Sequence, residues 1–550
     1  MPRFAGCKLA LCTLAIVLSA AQAAPPIPPD AGQTLRQFTP QPEAPKESPR
    51  FDLSAPLPER VAPGGTEIEV LELIIEGNEV FPAEDLLALL GDYQAQRFDL
   101  AGLNTLARRI TDHYRAQGYL FARALVPAQT IENGIVRLQV IEGRYGSIKA
   151  GGEPRYGRAT ARYLQSLRPG TPITAEGLNR PLLLLSDLPG IQVTPVVGPG
   201  EATGTGDLTV EVTRTRRFQG EAGFDNHGNR YSGRNRGFIQ LSANSPFLLG
   251  DRIDLNIVGT GENLWLGSLG YSLPVGGSGL RANGRYTHTR YQLGKDFEVL
   301  DASGLAKITS LGLSYPLVRS RRSNLTLAAS YQHKRMTDKK GLFLDSTEKK
   351  WSDSLPLSLQ FDHRDDLLGG GITYGAFSWT HGDLHLGSML KPDPLETDGA
   401  FDKLNLDLVR FQNLRWNLSL YGRLSAQWTP DNLDSSEDFG LGGADGVRAY
   451  PQSEGFGDRG WLGQLELRYK PHPIVEPFLF YDVGASRLNT NPITEGDNRR
   501  RISGAGVGAR ASHAGVGVEV AASWHVEGGN PRADTKQHIP EAWFRVSYSF

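Results

Sequence analysis

Residues 416–428 read Trp-Asn-Leu-Ser-Leu-Tyr-Gly-Arg-Leu-Ser-Ala-Gln-Trp. From Trp416 through Leu418, Leu420, Gly422, Leu424 and Ala426 to Trp428, each even position is apolar or small. Asn417, Ser419, Tyr421, Arg423, Ser425 and Gln427 stand between them. A period of two marks a strand with two unlike faces. Lipid accepts neither guanidinium nor amide groups, so the odd face should look into an enclosed polar lumen. Tryptophan at both ends fits the two aromatic girdles of a membrane barrel.

The same alternation recurs. Ile253, Leu255 and Ile257 interleave with Arg252, Asp254 and Asn256; Leu404, Leu406 and Leu408 with Lys403, Asn405 and Asp407. Trp461, Leu465, Leu467 and Tyr469 oppose Gln464, Glu466, Arg468 and Lys470. One such stretch fits a half-buried strand of a soluble sandwich; many of them behind an export signal favour a barrel. From Phe218 onward about 16 strands are expected: 218–226, 236–243, 251–260, 264–273, 279–290, 305–314, 323–336, 351–362, 371–380, 402–413, 415–428, 461–470, 477–486, 500–511, 514–525 and 541–550. An even count lets the first and last strands close antiparallel. In the last, Ala542, Phe544, Val546, Tyr548 and Phe550 share one face against Trp543, Arg545, Ser547 and Ser549. Ending an apolar row on Phe550 resembles the assembly signal of outer-membrane barrels, which assigns that role to Phe544, Val546, Tyr548 and Phe550.

The N-terminus carries the matching export signal. Arg3 and Lys8 precede an apolar run from Leu9 to Ala21, and Ala21-Gln22-Ala23 fits a cleavage site. Both cysteines, Cys7 and Cys12, fall inside it. The exported chain is therefore expected to have neither disulfide nor thiol chemistry. A net charge of -2 gives no footprint of a nucleic-acid binder. His363 with Asp365, and Asp225 with His227, read as strand ends and turns rather than as metal or hydrolytic sites. No enzyme constellation is expected, and no cofactor.

Between leader and barrel the periodicity changes. Residues 24–59 are proline-rich, interrupted by Ala31 to Phe38, which suits a short helix. Ile68, Val70, Leu73 and Ile75 suggest a strand; Leu103, Leu106, Ala107, Ile110 and Tyr114 mark one face of a helix that Gly118 stops. Strands are expected over Tyr119 to Val126 and Ile135 to Ile141. A second unit follows: a strand at Ser147 to Ala150, helices at Ala159 to Leu167 and Ala175 to Leu185, and strands at Ile191 to Val197 and Leu208 to Val212. The repeated order suggests a duplication, each copy leaving an edge strand able to pair with an extended segment.

The long interval 429–460 holds Gly440-Leu441-Gly442-Gly443-Ala444-Asp445-Gly446-Val447-Arg448-Ala449-Tyr450-Pro451. It suits an ordinary surface loop or one folded back into the lumen. Inside a pore Arg448 requires a carboxylate. Phe480, Asp482 and Gly484 share a face of a nearby strand, where Asp482 would accept from Arg448 and Gly484 would leave the loop room. Glu466 is the rival partner.

Val447-Arg448-Ala449-Tyr450 together with Phe480-x-Asp482-x-Gly484 resembles the paired signatures of the Omp85 superfamily. The two preceding units resemble its POTRA domains. Two such units, a proline-rich leader and a 16-stranded antiparallel transmembrane β-barrel resemble the TpsB transporters of two-partner secretion. Asn226-x-Gly228, Gly250-Asp251, Tyr114-x-x-x-Gly118-Tyr119, Pro127-x-Gln129 and Ile141-Glu142-Gly143 agree with that likeness. It implies a signal peptide at 1–23, a plug-helix region at 24–40, a linker at 41–65, POTRA-like domains at 66–143 and 144–216, and the barrel at 217–550 with an inward loop at 429–460.

The implied function is passage of an unfolded exoprotein from periplasm to cell surface or medium. The POTRA-like domains, in the periplasm, would bind the exoprotein's N-terminal secretion domain. Periplasmic chaperones, the barrel-assembly machinery, outer-membrane lipid and lipopolysaccharide are the further expected partners; nucleic acid is not. An Omp85-type insertase is the alternative, though its better-known bacterial forms carry more than two POTRA domains. A passive porin leaves 66–216 unexplained. Ala449 stands where the family usually has glycine, and alanine resists a left-handed backbone angle.

Overall fold

The computed structural model describes residues 28–38, 42–51, 62–341 and 346–550. The expected signal peptide lies outside the described residues, as do parts of the leader at 24–27, 39–41 and 52–61. Helix α1 (Ala31–Arg36) comes first, capped by Asp30, whose carboxylate accepts from Gln33 N at 2.9 Å. Six residues are too few to hold a helix in water. This one is held by the barrel around it.

The first α/β unit comprises β1 (Ile68–Val70), β2 (Glu72–Glu76), α2 (Ala83–Ala88), β3 (Gln96–Phe98), α3 (Leu100–Ala116), β4 (Arg123–Leu125) and β5 (Ile135–Ile141). The strand expected across Ile68 to Ile75 is two strands. Its apolar positions shift from even to odd between Val70 and Leu73, and there the chain changes partners: β1 pairs with β3, β2 runs parallel to β5. β4 completes the sheet on the other side of β5. α3 buries Leu103, Leu106 and Ile110 against this sheet, each contributing roughly 1.5–3 kcal/mol over exposure. Buried Glu142 joins the helix side to the sheet, accepting from Glu79 N (2.7 Å), Val80 N (2.6 Å) and the Tyr114 hydroxyl (3.1 Å). Burial and the Glu142 charge push the Tyr114 hydroxyl pKa upward.

The second unit contains β6 (Arg144–Gly152), α4 (Gly157–Leu164), α5 (Ala175–Ser186), β7 (Ile191–Pro199) and β8 (Thr205–Arg214). Its sheet order is β6-β8-β7, leaving β6 and β7 at the edges.

The barrel opens with β9 (Phe218–Asp225), β10 (Arg236–Asn244), β11 (Arg252–Thr260), β12 (Trp265–Pro274) and β13 (Arg281–Gln292). It continues with β14 (Ala302–Arg319), β15 (Ser323–Lys340), β16 (Ser346–Asp365), β17 (Gly371–Leu386), β18 (Gly399–Asn413) and β19 (Leu418–Trp428). It ends with β20 (Arg459–Tyr469), β21 (Val475–Arg487), β22 (Arg499–His513), β23 (Val516–Glu527) and β24 (Glu541–Ser549). These form one closed 16-stranded antiparallel barrel in sequence order, with β24 closing on β9. The chain is thus an N-terminal α/β region followed by the expected barrel.

Two features depart from the alternation. The strand expected from residue 415 begins at Leu418, because Trp416 (φ 60°) and Asn417 (φ 58°) form the turn. Positive φ at two successive residues suits the tight connection of right-twisted strands. Strands β14 to β17 also run 16 to 20 residues, longer than read. Their far ends, such as Asp338-Lys339-Lys340, are polar on both faces and show no alternation.

The β24–β9 seam is short, its register running only from Arg545↔Asp225 to Ser549↔Glu221. Asn226 extends it, its side chain donating to Ala542 O at 2.8 Å and accepting from Phe544 N at 2.9 Å. Arg545 and Glu221 pair across it at 2.9 Å.

Candidate functional site: the inward loop and helix α1

The β19–β20 connection, residues 429–458, folds back as a hairpin. Phe439 and Gly457 pair through two backbone hydrogen bonds of 2.7 and 3.0 Å, and Val447 N donates to Leu441 O at 2.7 Å. Apolar side chains seat it on the wall: Phe439, Leu441, Val447, Ala449 and Tyr450 pack with Leu462 of β20 and Ile502 of β22. A Cβ on Gly484 would stand 2.8 Å from the Leu441 methyl, so glycine is what lets the loop lie flush against β21.

At the tip, Arg448 meets two carboxylates. Its Nε and Nη2 donate to Asp482 at 2.8 and 2.7 Å, and its backbone N–H donates to the same group at 3.1 Å. Its Nη1 donates to Glu466 at 2.5 Å. The rivals are therefore joint partners. Phe480 stacks beneath, its ring centroid 3.6 Å from the guanidinium carbon. Arg468 and Arg510 also reach Glu466, at 2.7 and 3.0 Å. Asp482 has no cation but Arg448 among the described residues and is fully buried.

The opposite side of the tip is held through backbone carbonyls. Ser523 Oγ of β23 and Trp543 Nε1 of β24 converge on Arg448 O, at 2.6 and 2.7 Å. His525 lies 2.6 Å from Ala449 O and stacks on Tyr450 at 4.3 Å. The Tyr450 hydroxyl lies 2.9 Å from both Glu527 O and Gly529 O, which share its one proton. Ala449 adopts no positive φ, so glycine's freedom is not used here. Its methyl lies directly over Gly504, where any second methyl would overlap it.

The root of the loop holds helix α1. Asp30 accepts from Lys350 of β16 at 3.0 Å and from Ser435 Oγ at 2.5 Å, while Lys350 also bonds Asp434 at 2.6 Å. Ala31 N donates to Asp338 of β15 at 3.0 Å. Burial opposes ionisation of Asp30, but Lys350 and the hydrogen bonds from Gln33 and Ser435 outweigh it, and its pKa falls below the ordinary carboxylate value. Gly32 faces Ser435 and Ser436 so closely that a Cβ would overlap their atoms. Arg36 lies in the field of Glu437, Asp438 and Asp407. Glu437 in turn pairs with Lys334 and Lys403 from the wall. Phe38 packs under Arg236 with its ring 5.6 Å from the guanidinium.

Comparison with known proteins decides the family. Residues 204–511 match the model of the haemolysin secretion/activation proteins ShlB/FhaC/HecB, and residues 68–143 match the ShlB-type POTRA domain. The chain belongs to the ShlB/FhaC/HecB family. It is 26% identical over 522 residues to the heme/hemopexin transporter protein HuxB of Haemophilus influenzae (strain 86-028NP), covering 90% of this chain and 91% of that one. It is 24% identical to the hemolysin transporter protein ShlB of Serratia marcescens, covering 88% and 86%. The solved structure of CdiB from Escherichia coli shares the fold, with a TM-score of 0.66, 20% identity, and coverage of 91% and 94%. This TpsB-type protein is an outer-membrane translocon of two-partner secretion, with its α/β region in the periplasm and a secreted exoprotein as partner.

Within this TpsB transporter, Val447, Arg448, Ala449 and Tyr450 come together with Phe480, Asp482 and Gly484 in one cluster. Phe544, Val546, Tyr548 and Phe550 are elsewhere, on the outer face beside the seam, where Phe544 meets Phe224. His363 lies 2.8 Å from Ser323 Oγ, and Asp225 is clamped by Arg236. Sequence reading missed Trp543, Ser523 and Gly504. Trp543 carried a usable signal: it is the aromatic of β24 on the polar phase, where an indole N–H needs an acceptor.

Proposed function

We propose that the two α/β units recruit an unfolded exoprotein through its N-terminal secretion domain, and that helix α1 closes the lumen until the passenger enters. The observation that carries this reading is that Asp30, the cap of α1, and Asp434 of loop 429–458 share Lys350 of the wall inside a closed barrel. Arg448 and Asp482 hold the loop tip while the chain threads from its N-terminus to its C-terminus. Export uses no ATP at this membrane, and folding outside opposes backsliding. Phe544, Val546, Tyr548 and Phe550 present the outward row read by the barrel-assembly machinery after periplasmic chaperones deliver the chain. The assembled barrel then sits among phospholipid and lipopolysaccharide. Phe550→Ala should lower the heat-modifiable, folded fraction without changing the amount synthesised.

Mass spectrometry of culture medium and outer membrane, comparing a deletion strain with its complemented counterpart, tests the reading. Loss of one or a few large secreted proteins with other barrels unchanged supports it. Broad depletion of outer-membrane barrels makes this chain an insertase instead.

A further inference from the structure

Linker residues 42–51 read Pro-Glu-Ala-Pro-Lys-Glu-Ser-Pro-Arg-Phe and form neither helix nor strand. Their burial nevertheless has a period. Pro42, Pro45, Ser48 and Phe51 are partly covered, and the six residues between them are exposed. Three residues per turn is the repeat of polyproline II, which prolines pre-set and which leaves backbone carbonyls unbonded.

Those acceptors are what the barrel rim binds. Arg364 Nη2 donates to Pro45 O at 2.7 Å, Arg319 Nη1 to Ser48 Oγ at 3.1 Å, and Arg321 Nη2 to Phe51 O at 3.3 Å. Arg319 ends β14, Arg321 lies in the turn after it, and Arg364 is near the end of β16. A bond of 2.8 Å from Arg364 N to Arg322 O ties the two turns. Arg319 Nε and Nη2 grip Asp187, at the C-cap of α5, at 2.7 and 2.6 Å, while its Nη1 also donates to Ser320 O at 2.7 Å and Asn324 Oδ1 at 3.0 Å. Phe51 packs on the core of the second α/β unit. The row thus leads from that unit to the periplasmic rim of the pore. The charged linker residues Glu43, Lys46, Glu47 and Arg50 point away. Two of the three contacts are to backbone carbonyls, at Pro45 and Phe51, which any extended chain presents; the third is to the Ser48 hydroxyl. Arg321 Nε is buried without an acceptor among the described residues.

We propose that this arginine row is a binding track for the extended backbone of the exoprotein, and that the transporter's own linker occupies it at rest. The inference rests on the translocation reading. Polyproline II is a major conformer of unfolded chains, so an unfolded passenger already presents carbonyls at the spacing of Pro45 and Phe51. When the linker leaves with α1, the same guanidinium groups receive the incoming chain in its place.

The test uses full-length protein in detergent micelles and two fluorescein-labelled peptides: the sequence of residues 42–51, and the same residues in reverse order. Binding is read by anisotropy for wild type, for Pro45→Gly with Phe51→Ala, which loosens the linker, and for that variant carrying Arg321→Ala and Arg364→Ala. Heat-modifiable mobility confirms that each barrel is folded. A tethered linker competes at roughly millimolar effective concentration, so loosening it should tighten binding of both peptides by at least about tenfold. Removing the two guanidinium groups should weaken it by roughly tenfold for each charged hydrogen bond lost. Binding indifferent to the arginines, indifferent to loosening, or confined to the native-order peptide overturns the track. Secretion by the same strains is scored separately. Export that depends on this chain while its folded form binds neither peptide refutes the track and leaves translocation standing; absence of any dependent export refutes the translocation reading itself.

Discussion

Removing Arg448 should free the loop tip, and the structure sets both the size of the effect and its asymmetry. Arg448→Ala deletes three guanidinium hydrogen bonds, two to Asp482 and one to Glu466. Glu466 keeps Arg468 and Arg510, whereas Asp482, fully buried, keeps no cation among the described residues. Breaking a buried pair by removing one partner costs about 3–5 kcal/mol, chiefly because the other charge is orphaned. The docked-to-undocked ratio of the loop should therefore fall by roughly two to three and a half orders of magnitude. Removing Asp482 as well removes the orphan, so Arg448→Ala with Asp482→Ala should undock the loop less than Arg448→Ala alone. Val447 is fully buried beside the pair, and Val447→Cys provides a reporter whose labelling by a maleimide measures exposure of the tip. Both natural cysteines, Cys7 and Cys12, fall in the expected signal peptide. Secretion is then compared per folded barrel. Equal labelling rates across the set, or single effects that simply add in the double variant, would refute the reasoning.

Gly504→Ala should disturb the same tip by placing a second methyl against Ala449, at an overpacking cost of about 1–3 kcal/mol; Ala449→Gly in that background should restore slow Val447→Cys labelling. Gly32→Val should drive α1 off Ser435 and Ser436 and raise the open-channel conductance in planar bilayers, with unchanged conductance counting against the helix as a plug. Loop docking should also respond to pH. Burial, then the Asp458 and Asp434 carboxylates, raise the Asp438 pKa well above 3.8, so the docked loop binds this proton more readily than the undocked loop. Docking therefore tightens as pH falls from neutral through the Asp438 value. Glu437 works oppositely: burial opposes its charge, but Lys334 and Lys403 outweigh burial and depress its pKa, so its contribution is lost below its ordinary 4.5. Labelling of Val447→Cys, normalised to a free thiol peptide, should slow between neutral pH and about 5, and Asp438→Asn should weaken that trend, with burial of Asp458 raising a second loop carboxyl in the same direction.

The barrel was legible because membrane strands obey one strong rule. Lipid outside and polar lumen inside force alternation, and Leu418 to Trp428 or Ile253 to Ile257 display it without help from neighbours. Where the rule lapses the reading failed. Trp416 and Asn417 look like strand but turn, and the polar ends of β14 to β17 outrun the hydrocarbon. In the α/β region α3 spans many turns and was plain, whereas α2 and β3 offer too few residues for any period to emerge. At the loop tip, residue chemistry named Arg448, Asp482 and Glu466, because a guanidinium in a pore requires carboxylates. It could not name Ser523 or Gly504, whose roles depend on which carbonyl or methyl the loop brings against them.

The two ends of the loop differ in what happens when a charge departs. At the root, α1 carries away Asp30 and Arg36. Lys350 then keeps Asp434, and Glu437 keeps Lys334 and Lys403. Asp438 loses the field of Arg36, but burial and neighbouring carboxylates already favour its neutral form. None of these groups is left as a buried unpaired ion, so the cost of releasing the helix is reduced to its packing and hydrogen bonds. At the tip, Asp482 has no second cation among the described residues, and withdrawal of Arg448 incurs the full penalty of an orphaned carboxylate. On the proposed function, charge pairing orders the motions: α1 would leave while the Arg448 tip stays in place. A passenger that displaced the tip first would have to leave Asp482 buried without a cation among the described residues.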